Sequence, residues 1–205
     1  MSLKWLEVAK RLQAIAQNGL TFTEGEYDRE RYEELRDISV KMMSHYSGEE
    51  MQKVGELFAF EKGYQTPKTD VRGVVFKERK ILMVKEAADG KWSLPGGWAD
   101  INYSPREVAE KEVWEEAGLE VKSGRLLAVF DKHKHPHPPD PYHAYKLFIR
   151  CEIIGGELKT SIETLDVGFF GKEDLPPLSE ERNTHSQILT MFDYLENPEK
   201  EVLLD

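Results

Sequence analysis

Three carboxylates crowd one short stretch of this 205-residue chain: Glu112, Glu115 and Glu116, within "LPGGWADINYSPREVAEKEVWEEAGLEV", residues 94 to 121. Glu112 and Glu116 are four residues apart and Glu115 is three from Glu112, so on a helix they share one face. Stacked like charges weaken a bare helix by about 0.2–0.5 kcal/mol per pair. A hard divalent cation reverses that sign. Mg²⁺ takes an octahedron of oxygens, keeps several waters, and accepts one or two carboxylates together with substrate phosphates. A Glu-rich helix is also what a solvated surface looks like, and the flanking residues must separate the two readings.

Those flanks read as devices that fix a helix. Ser104 suits the N-cap, Pro105 the first helical position, and Glu107 completes a capping box. Gly118 reads as the left-handed residue just past the C-terminus. Ala109, Val113 and Ala117 recur at four-residue spacing and predict the core face of a helix over about 105 to 117. Gly96-Gly97 ahead of it predict a turn where a side chain would block close approach of backbone.

With these glycines at fixed offsets, the stretch resembles the Nudix box, G-x5-E-x7-R-E-U-x-E-E-x-G-U with U aliphatic. Gly97, Glu112, Val113, Glu115, Glu116, Gly118 and Leu119 match, and "WSLPGGW" leading into the box is also typical of that family. Tyr103 stands where the family has its first glutamate, and Lys111 where it has arginine. Lysine keeps the charge and loses the planar fork.

The resemblance implies metal-dependent hydrolysis of a nucleoside diphosphate linked to some group X. It implies Mg²⁺ or Mn²⁺ held by Glu112, Glu115, Glu116 and Gly97, and a substrate met by Gly97, Trp98 and Lys111. About 65 residues of predicted helix before the box resemble the family branch with a dedicated N-terminal domain. That branch implies CDP-choline, cleaved to CMP and phosphocholine, as first substrate and ADP-ribose as the next. RNA-end processing is a rival hydrolase reading. A non-catalytic nucleotide sensor is the other, but it would want a degraded box and a basic recognition helix, and neither is seen.

Family members take the general base from the box or from a later loop. Here "SIETLDVGFFGKEDLPPL", residues 161 to 178, reads as such a loop, with Glu163 the first candidate outside the box and Asp166 nearby. The Pro- and His-rich segment 133 to 143 reads as a lip over the substrate, offering His133 and Tyr142 as contacts. A zinc site there is the lesser reading, since no cysteine and no helical i, i+4 pair of histidines support it. A choline group would want aromatic walls, for which Trp98, Tyr103, Tyr142 and Phe170 are available.

The wider chain fits these expectations. A net charge of −10 disfavours broad binding to nucleic acid or anionic membrane, short RNA ends excepted. No run of apolar residues is long enough to span a bilayer, and no secretion signal is seen. Cys151 is the single cysteine, which reads as a buried thiol in a cytoplasmic protein.

Residues 1–65 predict a small helical domain. Trp5, Val8, Leu12 and Ile15 share one helical face, as do Ile38, Met42 and Tyr46, and Ser47 with Glu50 predicts a capping box. So small a helical piece should pack on something, and homodimerisation is the expected use, with Trp5, Phe58 and Phe60 as contacts. Residues 66–205 mix "VRGVVF", "KILMVK", "RLLAVF" and "AYKLFIRCEII" as strands with two helices, an α/β or α+β class. The Nudix resemblance makes that an α/β/α sandwich on a mixed sheet.

Overall fold

Hydrophobic alternation along the strands decides how this chain is layered. The computed structural model describes residues 4–47, 50–59 and 61–205, without the side chains of Leu57 and Phe58. Helices α1 (Lys4–Phe22), α2 (Glu26–Ser47) and α3 (Met51–Val54) precede strands β1 (Lys68–Lys77), β2 (Lys80–Glu86), β3 (Trp92–Ser93) and β4 (Gly96–Trp98). Then come α4 (Pro105–Ala117), β5 (Leu119–Asp131), β6 (Ala144–Gly156), β7 (Thr164–Phe170), α5 (His185–Glu196) and β8 (Leu203–Leu204). The chain divides into two compact units, Met1–Pro67 with Pro139–Tyr142, and Lys68–Pro138 with His143–Asp205.

In the second unit the strands form one mixed sheet in the order β3-β2-β1-β6-β5-β8, with β4 on β1 and β7 on β2. The β1–β6 and β5–β8 pairs are parallel and the others antiparallel. Successive strand residues face opposite sides. Val74, Ile81 and Met83 therefore enter one core, closed by Ile188, Met191 and Phe192 of α5. Val71, Val75, Leu82 and Val84 enter the other, closed by Val108, Ala109, Val113 and Ala117 of α4. Apolar faces on both sides of a sheet need a helix on each, hence α/β/α. Cys151 is buried in the α4 layer, and burial pushes its thiol up to about 12.

Two sequence expectations change here. Gly96-Gly97 is not a free turn but strand β4, paired with Val71 and Arg72 of β1. The supposed loop at 161 to 178 contains strand β7, which lies antiparallel on β2 and carries Asp166 opposite Lys85. The β1–β2 hairpin turns through Glu78 and Arg79, whose φ angles of 51° and 61° are both left-handed, as a two-residue hairpin turn of the favoured hand requires.

In the first unit, Ala9, Ala16, Val40, Met43 and Val54 are buried, and the Ser39 hydroxyl donates to the Ala9 carbonyl over 2.8 Å. The expected faces were rotated. Val8, Ile15, Ile38 and Tyr46 are exposed, because α1 meets α2 through small residues that let the backbones approach, with Gly19 lying under the Tyr32 ring. Trp5 stacks on Tyr46 at 4.9 Å. Ser47 ends α2 instead of capping α3, whose N-cap is Glu50 with no side-chain cap bond. Phe60 and the Phe58 side chain lie outside the described residues. No described helix is long and apolar enough to cross a membrane.

Candidate active site

The local sequence signals around α4 take the form they predict. Ser104 and Glu107 form a reciprocal capping box, Pro105 opens the helix, and Gly118 closes it at φ 72°. A Cβ on Gly118 would stand 2.5 Å from the Glu157 carbonyl oxygen. At Gly73 of β1 a Cβ would meet Val113 at 2.5 Å, so the helix lies against the sheet with no room for a methyl group.

This close seating aims the glutamates at β4. Glu116 is buried, and its Oε2 accepts the Gly96 N–H at 2.9 Å. Gly96 sits at φ 144°, and a Cβ there would be 2.0 Å from the Val71 oxygen. A Cβ on Gly97 would stand 3.4 Å from Glu112 Oε2, which places the second glycine directly against that carboxylate. Glu115 faces outward and is half-exposed.

Lys111 threads between them. Its ammonium lies 3.0 Å from Glu115, 3.7 Å from Glu112 and 3.7 Å from Asp100. The Glu115 bond, with Glu112, Glu115 and Asp100 nearby, raises the Lys111 pKa despite some desolvation. Burial pushes the Glu116 carboxyl up to about 8, although the Arg72 guanidinium and the Gly96 N–H pull the other way. Glu112 is also raised, by burial and by the charges of Glu115 and Glu163, against Lys111 and Arg72. Two desolvated carboxylates beside a third are short of positive charge.

The Glu163 charge is close enough to act on Glu112. Glu163 is exposed just before β7, where its carbonyl accepts the Ala87 N–H at 2.9 Å. Trp98 and Tyr103 are half-exposed near the glycine strand. The other expected contacts go elsewhere. His133 lies with Asp131 and His143, and Tyr142 belongs to the first unit, where its carbonyl accepts from Lys10. Phe170 is packed on Trp92 with ring centroids 4.6 Å apart, so it is no free aromatic wall.

Comparison with known proteins identifies this arrangement. Residues 66–192 match the model described as the NUDIX domain. The chain belongs to the Nudix hydrolase family. It is a pyrophosphohydrolase of that family, and residues 3–58 match a UDP-X-like, N-terminal oligomerisation domain. YjhB of Bacillus subtilis (strain 168), provisionally named an ADP-ribose pyrophosphatase, is 52% identical over 98% of this chain and 97% of its own. A solved ADP-ribose pyrophosphatase from Streptococcus suis 89-1591 is 44% identical, covering 68% of this chain and all of its own, with a TM-score of 0.62. A solved UDP-X diphosphatase is 34% identical over 98% of both chains, with a TM-score of 0.64.

Several residues that support the Nudix box carry no signal in the sequence. Arg72 grips Asp70 through two nitrogens and donates to the Leu94 carbonyl, while Asn183 accepts the Leu94 N–H at 2.9 Å. The segment entering the box is thus held from both sides. Lys146 also bonds Asp70. Arg72 and Lys146 together hold the buried Asp70 carboxyl below the ordinary range against its desolvation. Thr164 donates to the Glu116 carbonyl at 3.0 Å. Apart from Asp70, two residues from Arg72 on the same strand, these partners are remote in sequence, and only the folded sheet brings them together.

Proposed function

We propose that this protein hydrolyses a nucleoside diphosphate linked to a second group X, with ADP-ribose the first substrate to test and CDP-choline the second. The observation that carries this reading is the pair of desolvated carboxylates, the buried Glu116 and the partly buried Glu112, raised in pKa and set beside Glu115. The donors are all oxygen, the preference of a hard cation. The Lys111 ammonium, within 3.7 Å of two of them, occupies the sort of position a cation would take. Mg²⁺ or Mn²⁺, held by Glu112, Glu115, Glu116 and the Gly97 carbonyl, would neutralise diphosphate charge and ease ionisation of a water.

The chain's own groups supply the remainder. The Gly96 N–H fixes one carboxylate oxygen of Glu116. Gly97 admits the diphosphate close to backbone, Trp98 offers a half-exposed ring face to the base, and Lys111 balances charge. Glu163, whose charge reaches Glu112, takes the proton of the attacking water. ADP-ribose stands ahead of CDP-choline because two relatives, one matching 98% of this chain and one 68%, are named for it, and because Phe170 is packed on Trp92 and does not wall a choline group. The test is a panel of ADP-ribose, CDP-choline, UDP-sugars and NADH with Mg²⁺. Turnover of ADP-ribose no better than of the others would overturn the substrate, and an undiminished rate in Glu163→Gln would overturn the base.

We also infer that the protein is a homodimer. Val8, Ile15 and Phe22 recur every seven residues on α1 and are all exposed. Such a stripe on a domain similar to one described for oligomerisation calls for a second copy.

A further inference from the structure

We propose that Asp131, His133 and His143 bind a transition-metal dication of the zinc class, at a site separate from the glutamate helix. Among the described residues this is the one trio of His, Cys, Asp or Glu whose ligand atoms all lie within 4.8 Å of one another. Asp131 Oδ1 is 3.5 Å from His133 Nδ1 and 3.3 Å from His143 Nε2. Two ligand atoms at zinc bond lengths of about 2.1 Å, spread at a tetrahedral angle, lie about 3.4 Å apart. Two edges of a tetrahedral face are therefore already formed, and all three residues offer ligand atoms within 4.8 Å of one another.

The fold supplies the three groups from three places. Asp131 ends β5, His133 lies in the single 3₁₀ turn Lys132–Lys134, and His143 immediately precedes β6. The Asp131 carboxylate caps that turn by accepting the His133 N–H at 3.0 Å. The Tyr145 ring packs edge-on against His143 at 5.4 Å and steadies it. Two imidazoles and one carboxylate form a borderline donor set that favours zinc, iron, cobalt or nickel over magnesium.

The site is distinct from the Nudix box. Asp131 pairs with Tyr145, Tyr145 with Thr69, and the Thr69 carbonyl with the Ala99 N–H. Three strand spacings of about 4.8 Å put Asp131 about 14 Å along the sheet from the glycine strand. The ion would clip the two ends of segment 133–143 together, and its remaining positions would be open to water or an anion.

The experiment uses the full chain, stripped with chelator and returned to excess Mg²⁺, which fills oxygen sites and competes poorly for imidazole. Co²⁺ is titrated in and followed by visible absorption, and Zn²⁺ by calorimetry. The expected result is one equivalent of Zn²⁺, strong Co²⁺ bands, and slower proteolysis within 133–143. His143→Gln and His133→Asn, both at exposed positions, should each abolish the bands and the protection. Each should weaken Zn²⁺ binding by more than the roughly tenfold that loss of an outer partner costs. Zn²⁺ uptake and Co²⁺ spectra unchanged in both variants would overturn the proposal, as would absence of the bands in the parent chain.

Discussion

The Thr164 hydroxyl donates to the main-chain carbonyl of Glu116 over 3.0 Å, joining the start of β7 to the last turn of α4. Glu163 is the preceding residue, so this bond, with that of the Ala87 N–H to the Glu163 carbonyl, helps set how the outlying carboxylate stands relative to the box. Thr164→Val keeps the shape but deletes that donor and the acceptor of the Ser161 N–H. The expected cost is about 1 kcal/mol in urea unfolding, with a larger loss in kcat than in KM, and Thr164→Ser should recover most of the rate.

Glu116 makes the metal-free protein sensitive to pH. Its carboxyl is near 8 in the folded chain and about 4.5 when unfolded. Between those values the folded state holds a proton that the unfolded state has lost, so stability declines as pH rises through the window. Thermal unfolding in chelator should show that fall. Glu116→Gln should flatten it, and Mg²⁺ at pH 8 should raise the melting temperature.

The two glycines of β4 should fail differently. Gly96→Ala puts a methyl group 2.0 Å from the Val71 oxygen at φ 144°. Strain of that kind costs roughly 1–3 kcal/mol or more. Gly97→Ala meets only the Glu112 carboxylate at 3.4 Å. It should leave the unfolding midpoint nearly unchanged and depress hydrolysis, which a paired denaturation and rate measurement separates.

If a metal ion is held as proposed, Lys111 would compete with it for Glu112 and Glu115. Replacing it with Gln removes an ammonium 3.0 Å from Glu115. Calorimetry should then find Mn²⁺ bound more tightly, by roughly three- to tenfold for about 1 kcal/mol of relieved repulsion. Lys111→Arg should leave that affinity close to the parent value.

An aspartate at Ile15, in the middle of the exposed α1 stripe, should yield monomers by light scattering while circular dichroism stays helical. A dimer that persists would move the interface off this face.

Much of the site was legible because its signals are local. The cap at Ser104, the left-handed Gly118 and the four-residue spacing of Ala109, Val113 and Ala117 all concern atoms within one helix. The main strands were legible for the same reason. What the sequence hid was pairing across the fold. β7 looked like a loop because its residues are half-exposed and gain their order from β2. The α1 and α2 faces are not legible from side-chain bulk, because the small Ala9 and Ala16 are buried while the larger Val8 and Ile15 face out. The histidine segment offers no helical i, i+4 pair, and the approach of His143 to Asp131 arises only from neighbouring strands.

The absent side chain at Gly73, against Val113, couples chemistry to a position that has none. A methyl group there would lever α4 outward as a stiff rod, carrying every box carboxylate with it and stretching the Glu116–Gly96 tether. Shortening Val113 to Ala would reopen the gap. Drift at either position is thus expected to travel with its neighbour, and a change in rate could originate in the floor beneath the helix without touching any acidic residue.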